Sequence, residues 1–440
     1  MPRGSDDRGT FAALKVRDFA LLWTGQSVSS LGDGIFTIAL AIVALDVDHH
    51  PSGIALVFAA RAIPSVILAL IGGVVVDRAP RRLVMLSSDA IRGVSVGVIG
   101  LLIAEGSLHL WELVVMSAIF GAADSFFGPA SMTIVPELLD ADLLVAGNAL
   151  GQMSNQLTQG LIGPALGGLV VAVIGTAWSF GVDAASFFIS ALSLAMLRSR
   201  VRPTREGSSL IDDARKGLRY VWTRRWLLVS IIGASFANFF GMAITVLRPL
   251  MVRETLHASA LSLGLVYAAG GAAGIIAAFV VARMGRPTRE VTVLWSAYAA
   301  GGVASACIAF SPNVVVVGLL TAADVGLILY GDVLWVAMMQ RLVPNDVLGR
   351  VSSLVYLFAF SLGPLGILFG GLAASAFGVR PAFFYCGIIA SLICVAVLFA
   401  PGVRDPERAL GLSGGDAAAS LRASDGANDT LETKPDGPRE

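Results

Sequence analysis

Twelve apolar runs, each of about 20 residues or more and each closed by charged or Pro/Gly turns, constrain this chain more than any other feature. Six come first, at 19–45, 53–76, 83–104, 110–130, 144–174 and 177–197. Six more follow at 226–251, 260–282, 291–310, 314–339, 351–377 and 382–400. A backbone in lipid must satisfy its own hydrogen bonds, so runs of this length read as spanning helices. The expected fold class is an all-α membrane protein with twelve transmembrane helices.

Composition agrees. Hydrophobic residues make up 56% of the 440 and charged residues only 14%, against about 25% charged in soluble domains. Such a chain has too little polar surface to face water and is expected to partner a lipid bilayer. Its net charge of zero argues for neither nucleic acid nor an acidic partner, and no nucleic acid is expected. Cys307, Cys386 and Cys394 sit in apolar runs without disulfide or metal spacing, and His49, His50, His109 and His257 stand at outer loops or span ends. No metal, no cofactor and no enzymatic activity are therefore expected. No G-x-x-x-x-G-K-[ST] stretch is present, which argues against an ATP-driven pump. The first run is too long for a cleaved signal peptide. Three lysines beside abundant arginine, alanine and glycine suit a GC-rich bacterial genome, so a bacterial inner (cell) membrane is the expected location.

Arginine and lysine set the orientation. With the N-terminus in the cytoplasm, the inner side collects Arg3, Arg8, Lys15 and Arg17, then Arg78, Arg81 and Arg82, nine basic residues in 198–225, and later Arg283, Arg286, Arg289, Arg341 and Arg350. The outer side has Arg248, Arg253 and Arg380. Both termini are thus expected inside. The chain divides into a polar N-terminus (1–18), a six-helix bundle (19–197), a cytoplasmic linker (198–225), a second six-helix bundle (226–400) and a tail (401–440). The tail lacks apolar periodicity and is expected to be disordered. In the linker, Leu210, Ala214 and Leu218 recur at helical spacing opposite charges, which predicts an amphipathic surface helix serving as a hinge, or else as a docking element.

The halves repeat each other. Asp124 followed by Pro136 matches Asp332 followed by Pro344, and the stretch beginning Gly167-Gly168 matches the one beginning Gly370-Gly371. Parallel repeats of this kind place a substrate site at their interface near the midplane.

The turn 72–82, GGVVVDRAPRR, joins the second and third spans. It places Gly73, Asp77, Arg78, Arg81 and Arg82 at one membrane surface, and ARMGR at 282–286 is its worn second copy. At this point the chain resembles the major facilitator superfamily. The superfamily's loop signature, G-x-x-x-D-[RK]-x-G-[RK]-[RK], maps onto these residues with Pro80 at the usual glycine. A second signature, GPxxGG, maps onto Gly163, Pro164, Gly167 and Gly168, while the upstream Gly151 and Gly160 are each one position off. The pattern is most similar to the drug, macrolide and siderophore exporter branch. The resemblance implies an inner gate at the loop signature and an antiporter-type gate at GPxxGG, although close helix packing alone also explains the latter.

Ionisable side chains inside spans are costly and mark function or pairing. Asp33, flanked by glycines about 20 Å into the first span, and Arg61 of the second span are expected to lie within a turn of one another. They form either a proton-coupling pair or a permanent structural one. Asp324 is a second candidate for a proton or a cationic substrate. Asp89, Arg92 and Asp124 are expected at the inner end, where the resemblance implies a latch, with Asp332 as the repeat counterpart of Asp124. Asp183 is expected to cap or anchor a helix near the outer interface. Asn148, Gln152, Asn155 and Gln159 share one face of the fifth span, a stripe for a watery passage or for interhelical bonds. Phe36, Phe240 and Tyr330, with other aromatics, are pocket candidates or packing residues.

These readings predict a proton-coupled antiporter, acting as a monomer, that exports small amphiphilic molecules of drug, macrolide or siderophore type. The alternatives are an uptake carrier or facilitator of the same fold, and a non-transporting membrane receptor or scaffold.

Overall fold

The computed structural model describes residues 10–198, 210–285 and 287–407. Among them are twelve helices long and apolar enough to cross a membrane. The first half comprises α1 (Arg17–Val47), α2 (Pro51–Arg78), α3 (Arg81–Ala104), α4 (Leu110–Leu138), a fifth span built from α5 (Leu144–Asn155) and α6 (Gly163–Ile174), and α7 (Thr176–Ala195). A linker helix, α8 (Leu210–Thr223), follows. The second half comprises α9 (Arg225–Leu250), α10 (Ala260–Met284), α11 (Glu290–Ile308), α12 (Val314–Leu342), an eleventh span built from α13 (Asn345–Phe360) and α14 (Gly363–Phe377), and α15 (Val379–Phe399). N-cap side chains start two of them. Asn313 accepts from Val315 and Val316 N–H, both at 3.1 Å, and Ser259 accepts from Ser262 N–H at 3.2 Å.

The repeat read from the sequence is visible in the backbone. Gly175 ends α6 at φ 91°, and Gly378 ends α14 at φ 86°, the same left-handed turn at matching places in the two halves. Only glycine enters that region without strain. Both composite spans also break beside a Gly-Pro pair, Gly163-Pro164 and Gly363-Pro364. In the fifth span the break is a π-helical stretch, Gln156–Ile162. Pro164 has no N–H to return to the carbonyl four residues earlier, that of Gly160, and a widened turn accommodates the ring.

The apolar cores show how the halves meet. At the end bearing the 48–51 and 256–259 turns, one continuous core joins them, from Phe36, Ile54 and Phe120 through Leu247, Leu263, Ile367 and Phe383. At the arginine-rich end each half keeps its own. Leu22, Met85, Ile134 and Leu194 pack together in the first half, and Leu227, Trp295, Met338 and Val397 in the second. The shared end is sewn by close backbone approaches. A Cβ on Gly264 would meet the Pro164 carbonyl oxygen at 2.4 Å, one on Gly271 the Gly160 carbonyl oxygen at 1.9 Å, and one on Gly371 the Ala55 methyl at 2.2 Å.

The tail differs from expectation at its beginning. Residues 401–407 pack on the second half: Val403 is buried, and the Glu407 carboxylate accepts from Thr292 N–H at 2.6 Å and from the Thr292 hydroxyl at 2.9 Å. The remainder, 408–440, lies outside the described residues. The predicted linker helix is α8, although Leu210 and Ala214 have no described side chains. It rests on the second half, with Gly217 against Arg350 and Leu354 and the Tyr220 hydroxyl donating to the Leu342 carbonyl at 3.3 Å.

Candidate functional site

The first half buries a cluster of charge near the middle of its helices. Arg92, on α3, pairs with Asp89 one turn earlier on the same helix and with Asp124 of α4 at 3.0 Å. Asp89 and Arg92 are almost fully buried, while the Asp124 side chain is 45% exposed. Arg92 also lies over the Phe127 and Phe187 rings, at 4.1 and 4.6 Å from their centroids. At 1.5 Å per residue, Asp89 stands about 12 Å and Arg92 about 16 Å from the start of α3, and Asp124 about 21 Å from the end of α4. The triad expected at the inner end therefore lies deeper, toward the midplane.

Asp33 belongs to the same region, and Arg92 and Arg61 are the cations that face it. Its Oδ1 is buried and has no hydrogen-bond partner. The expected contact with Arg61 is not made: no ion pair joins them, and the Arg61 guanidinium lies over Phe36 and Phe120, 5.3 and 4.6 Å from their centroids. A long side chain can leave an acid one turn away for the negative faces of two rings. Asp183 is a larger departure. It is completely buried within α7, and the Ser186 hydroxyl lies 3.3 Å from its Oδ1. It therefore does not anchor an interface.

The second half handles charge differently. Asp324 of α12, a proton-site candidate from sequence, is buried in an ion pair with Arg248 of α9 at 3.0 Å, and Arg248 lies 5.7 Å from the Tyr267 ring centroid. Sequence reasoning missed this pair because it assigned Arg248 to an outer loop. The signal was present, since Arg248 precedes the end of the apolar run 226–251. Asp332, the counterpart of Asp124, is exposed and accepts from the Tyr298 hydroxyl at 2.7 Å.

At the arginine-rich end, Arg81 pairs with Glu137 and Arg82 donates to the Ala195 carbonyl, tying α3 to α4 and α7. The side chains of Gly73, Asp77 and Arg78 lie outside the described residues. The GPxxGG stretch is a three-way junction. Gly163 packs on Gly34 and Gly167 on Ile35, both of α1, whereas Gly168 packs on Ala260, Leu261 and Gly264 of α10 in the other half.

Of the polar stripe, Asn148, Gln152 and Asn155 are exposed on α5, and the Asn155 amide donates to the Ser30 hydroxyl at 3.4 Å. Gln159 falls within the π-helical stretch, so the regular spacing that placed it on the same face does not hold. Phe36 is no pocket residue: it is fully buried, stacked on Phe120 with centroids 5.1 Å apart. Tyr330 is half-buried against the second half's own core. Phe240 lines an apolar cavity of about 380 Å³ shared with Phe369, Phe377 and Tyr385. Among the described residues no three His, Cys, Asp or Glu are grouped to hold a metal ion.

Known proteins resemble the chain along most of its length. The profile of a family described as transmembrane secretion effector matches residues 8–410. The multidrug efflux pump Tap of Mycobacterium tuberculosis is 29% identical over 371 residues, 81% of this chain and 87% of that one. Macrolide efflux protein A of Streptococcus pyogenes is 20% identical over 385 residues, 86% and 94% of the two chains. Among solved structures, a bacterial homologue of the iron transporter ferroportin in an inward-facing state superposes with a TM-score of 0.68 at 16% identity, covering 87% of this chain and 99% of that one. The nucleoside transporter NupG gives a TM-score of 0.68 at 12% identity, covering 86% and 99%. At such identities the structural likeness speaks to the fold.

Proposed function

The chain belongs to the transmembrane secretion effector family, in the drug-exporter branch of the major facilitator superfamily, and from that premise we propose that it exports small amphiphilic molecules in exchange for protons. It is a multi-pass membrane transporter rather than an enzyme. The relatives named for multidrug and macrolide efflux support export, and the positive-inside count supports placing the arginine-rich end and both termini in the cytoplasm. On that orientation the shared core closes the outer end while the inner cores stand apart, the arrangement of an inward-open carrier. Alternating access then consists of parting the halves at the Gly168–Gly264 junction and joining them at the arginine-rich end.

One observation carries the proton coupling: Asp33, half-buried mid-span, keeps a buried oxygen without a partner beside a charge network. An acid so placed can exchange a proton as the halves move, and its charge then biases which end is closed. Arg61 and Arg92 supply the field that draws the proton off. The amides of Asn148, Gln152 and Asn155 line the inner approach for the cargo, and Arg81, Arg82 and the 72–82 turn govern the inner gate.

Proteoliposomes holding the full chain test this reading. With a pH gradient imposed, a macrolide or a lipophilic cation should accumulate against its own gradient, and Asn at position 33 (Asp33→Asn) should stop accumulation while leaving equilibrating exchange. Accumulation by that variant at the normal rate sinks the coupling role, and equilibration without accumulation by the unaltered protein indicates a facilitator.

A further inference from the structure

Gly32 is the opening through which a second acid reaches α1. A Cβ at this position would fall 2.2 Å from the Ser186 hydroxyl and 2.4 Å from Asp183 Oδ1, so α7 seats its carboxyl directly on the α1 backbone, one residue before Asp33. Asp183 has no exposed surface, and its Oδ2 has no hydrogen-bond partner. Asp33 is its strongest charged neighbour. Two acids, one on α1 and one packed against the α1 residue before it, thus each keep a buried, unpartnered oxygen.

The charges around them do not balance. Arg61 of α2, Asp89 and Arg92 of α3 and Asp124 of α4 face Asp33, and α6 brings no charged residue. Arg92 is committed to Asp89 and Asp124, and Arg61 to the rings of Phe36 and Phe120. Four carboxyls therefore confront two guanidiniums. Uncompensated charge in such a place is avoided by neutralisation, and two neighbouring acids resolve their repulsion by keeping one proton for both.

We propose that Asp33 and Asp183 are a carboxyl–carboxylate pair holding a single proton, with half-buried Asp33 as the member that exchanges with water and Asp183 as the buried member that retains it. The inference deepens the coupling role given to Asp33 and rests on it. Uptake converts two carboxylates into one O–H···O pair, and release returns the proton to water on the other side. Nothing else is consumed. Because the proton belongs to both, neither acid titrates as a lone carboxyl would.

The test is an infrared pH titration of the full-length protein in lipid, following the part of the protonated-carboxyl band that Asp33→Asn removes. In Asp183→Asn the amide can donate to Asp33 and no second negative charge remains, so that feature should vanish at a pH lower by one unit or more, a tenfold or greater loss of proton affinity. At a pH where the pair holds its single proton, the Asp33→Asn/Asp183→Asn double variant should lose no more band than either single one. An unchanged midpoint in Asp183→Asn, or additive losses at that pH, overturns the pair. Should Asp183→Asn not fold, Asp183→Ser removes the same carboxylate with a smaller polar side chain and should lower the midpoint likewise; no movement overturns the pair equally. The two readings fail separately. If Asp33→Asn still accumulates cargo under a pH gradient, the coupling role falls; if it does not, yet the midpoint ignores position 183, Asp33 acts alone.

Discussion

The two halves share a repeat and spend their buried charge in opposite ways. In the first half, Arg92 of the third span holds Asp124 of the fourth, and acids exceed the cations that face them. In the second, Tyr298 of the ninth span holds Asp332 of the tenth with a neutral hydroxyl, and the one deeply buried acid among the described residues there, Asp324, has Arg248 to itself. A balanced pair has no reason to take up a proton, whereas an acidic surplus has. Under the proposed function, the contrast assigns the proton chemistry to the first bundle and leaves the second as the body against which it moves.

Removing the centre of the first half's network should have the largest effect. Arg92→Ala strands Asp89, which has no exposed surface, and should cost about 3–5 kcal/mol, seen as a lowered thermal midpoint of the purified protein together with loss of transport. Arg92→Lys retains the charge but loses the fork that spans two carboxylates, so an intermediate loss is expected. If Tyr298→Phe in the second half costs as much, rather than the ~1 kcal/mol of one hydrogen bond, the contrast between the halves is wrong.

The next test acts on the balanced pair. Asp324→Leu alone leaves Arg248 buried without its partner and should destabilise by a few kcal/mol, about 3 at the lower end. Adding Arg248→Met should recover most of that loss, and the double variant should still accumulate cargo under a pH gradient. Loss of coupling in a well-folded double variant would assign proton chemistry to both halves. A smaller effect is expected at the seam. Gly264→Ala puts a methyl against the Pro164 carbonyl and should cost about 1–3 kcal/mol. In the proposed transport cycle that contact is lost when this end opens, so a cysteine-accessibility assay should show it open more often.

The twelve spans were legible because each is a statement about composition, and the bilayer demands it of each helix separately. Side-chain partners were not, because they depend on how helices rotate against each other. Asp183 turns inward because Gly32 leaves room for it on another helix. Arg61 passes over an acid in favour of two rings that come from the first and fourth spans. Gln159 drops off its predicted face because Pro164, five residues on, widens the turn before it. Arg248 shows a different failure: its charge was sorted by loop counting although the apolar run continued beyond it, and a rule for loops says nothing about a cation inside a span.

The smallest predicted effect concerns how each bundle is tied at its arginine-rich end. The residue before α11 is Arg289, whose side chain caps nothing, and the Glu407 carboxylate supplies from the tail what a local cap would have given, accepting from both the N–H and the hydroxyl of Thr292. A negative group at a helix N-terminus is favoured twice, by the free amides and by the dipole. Glu407→Ala should therefore lower stability by about 1 kcal/mol, and Thr292→Ala in the same background should add little, since the two share one interaction. Hydrogen exchange gives the sharper measurement. Protection should fall in the first turn of α11 and stay unchanged in α3, whose start at Pro80 has no such tie. Equal losses in both helices would mean that the tail steadies the whole molecule and not the second half alone.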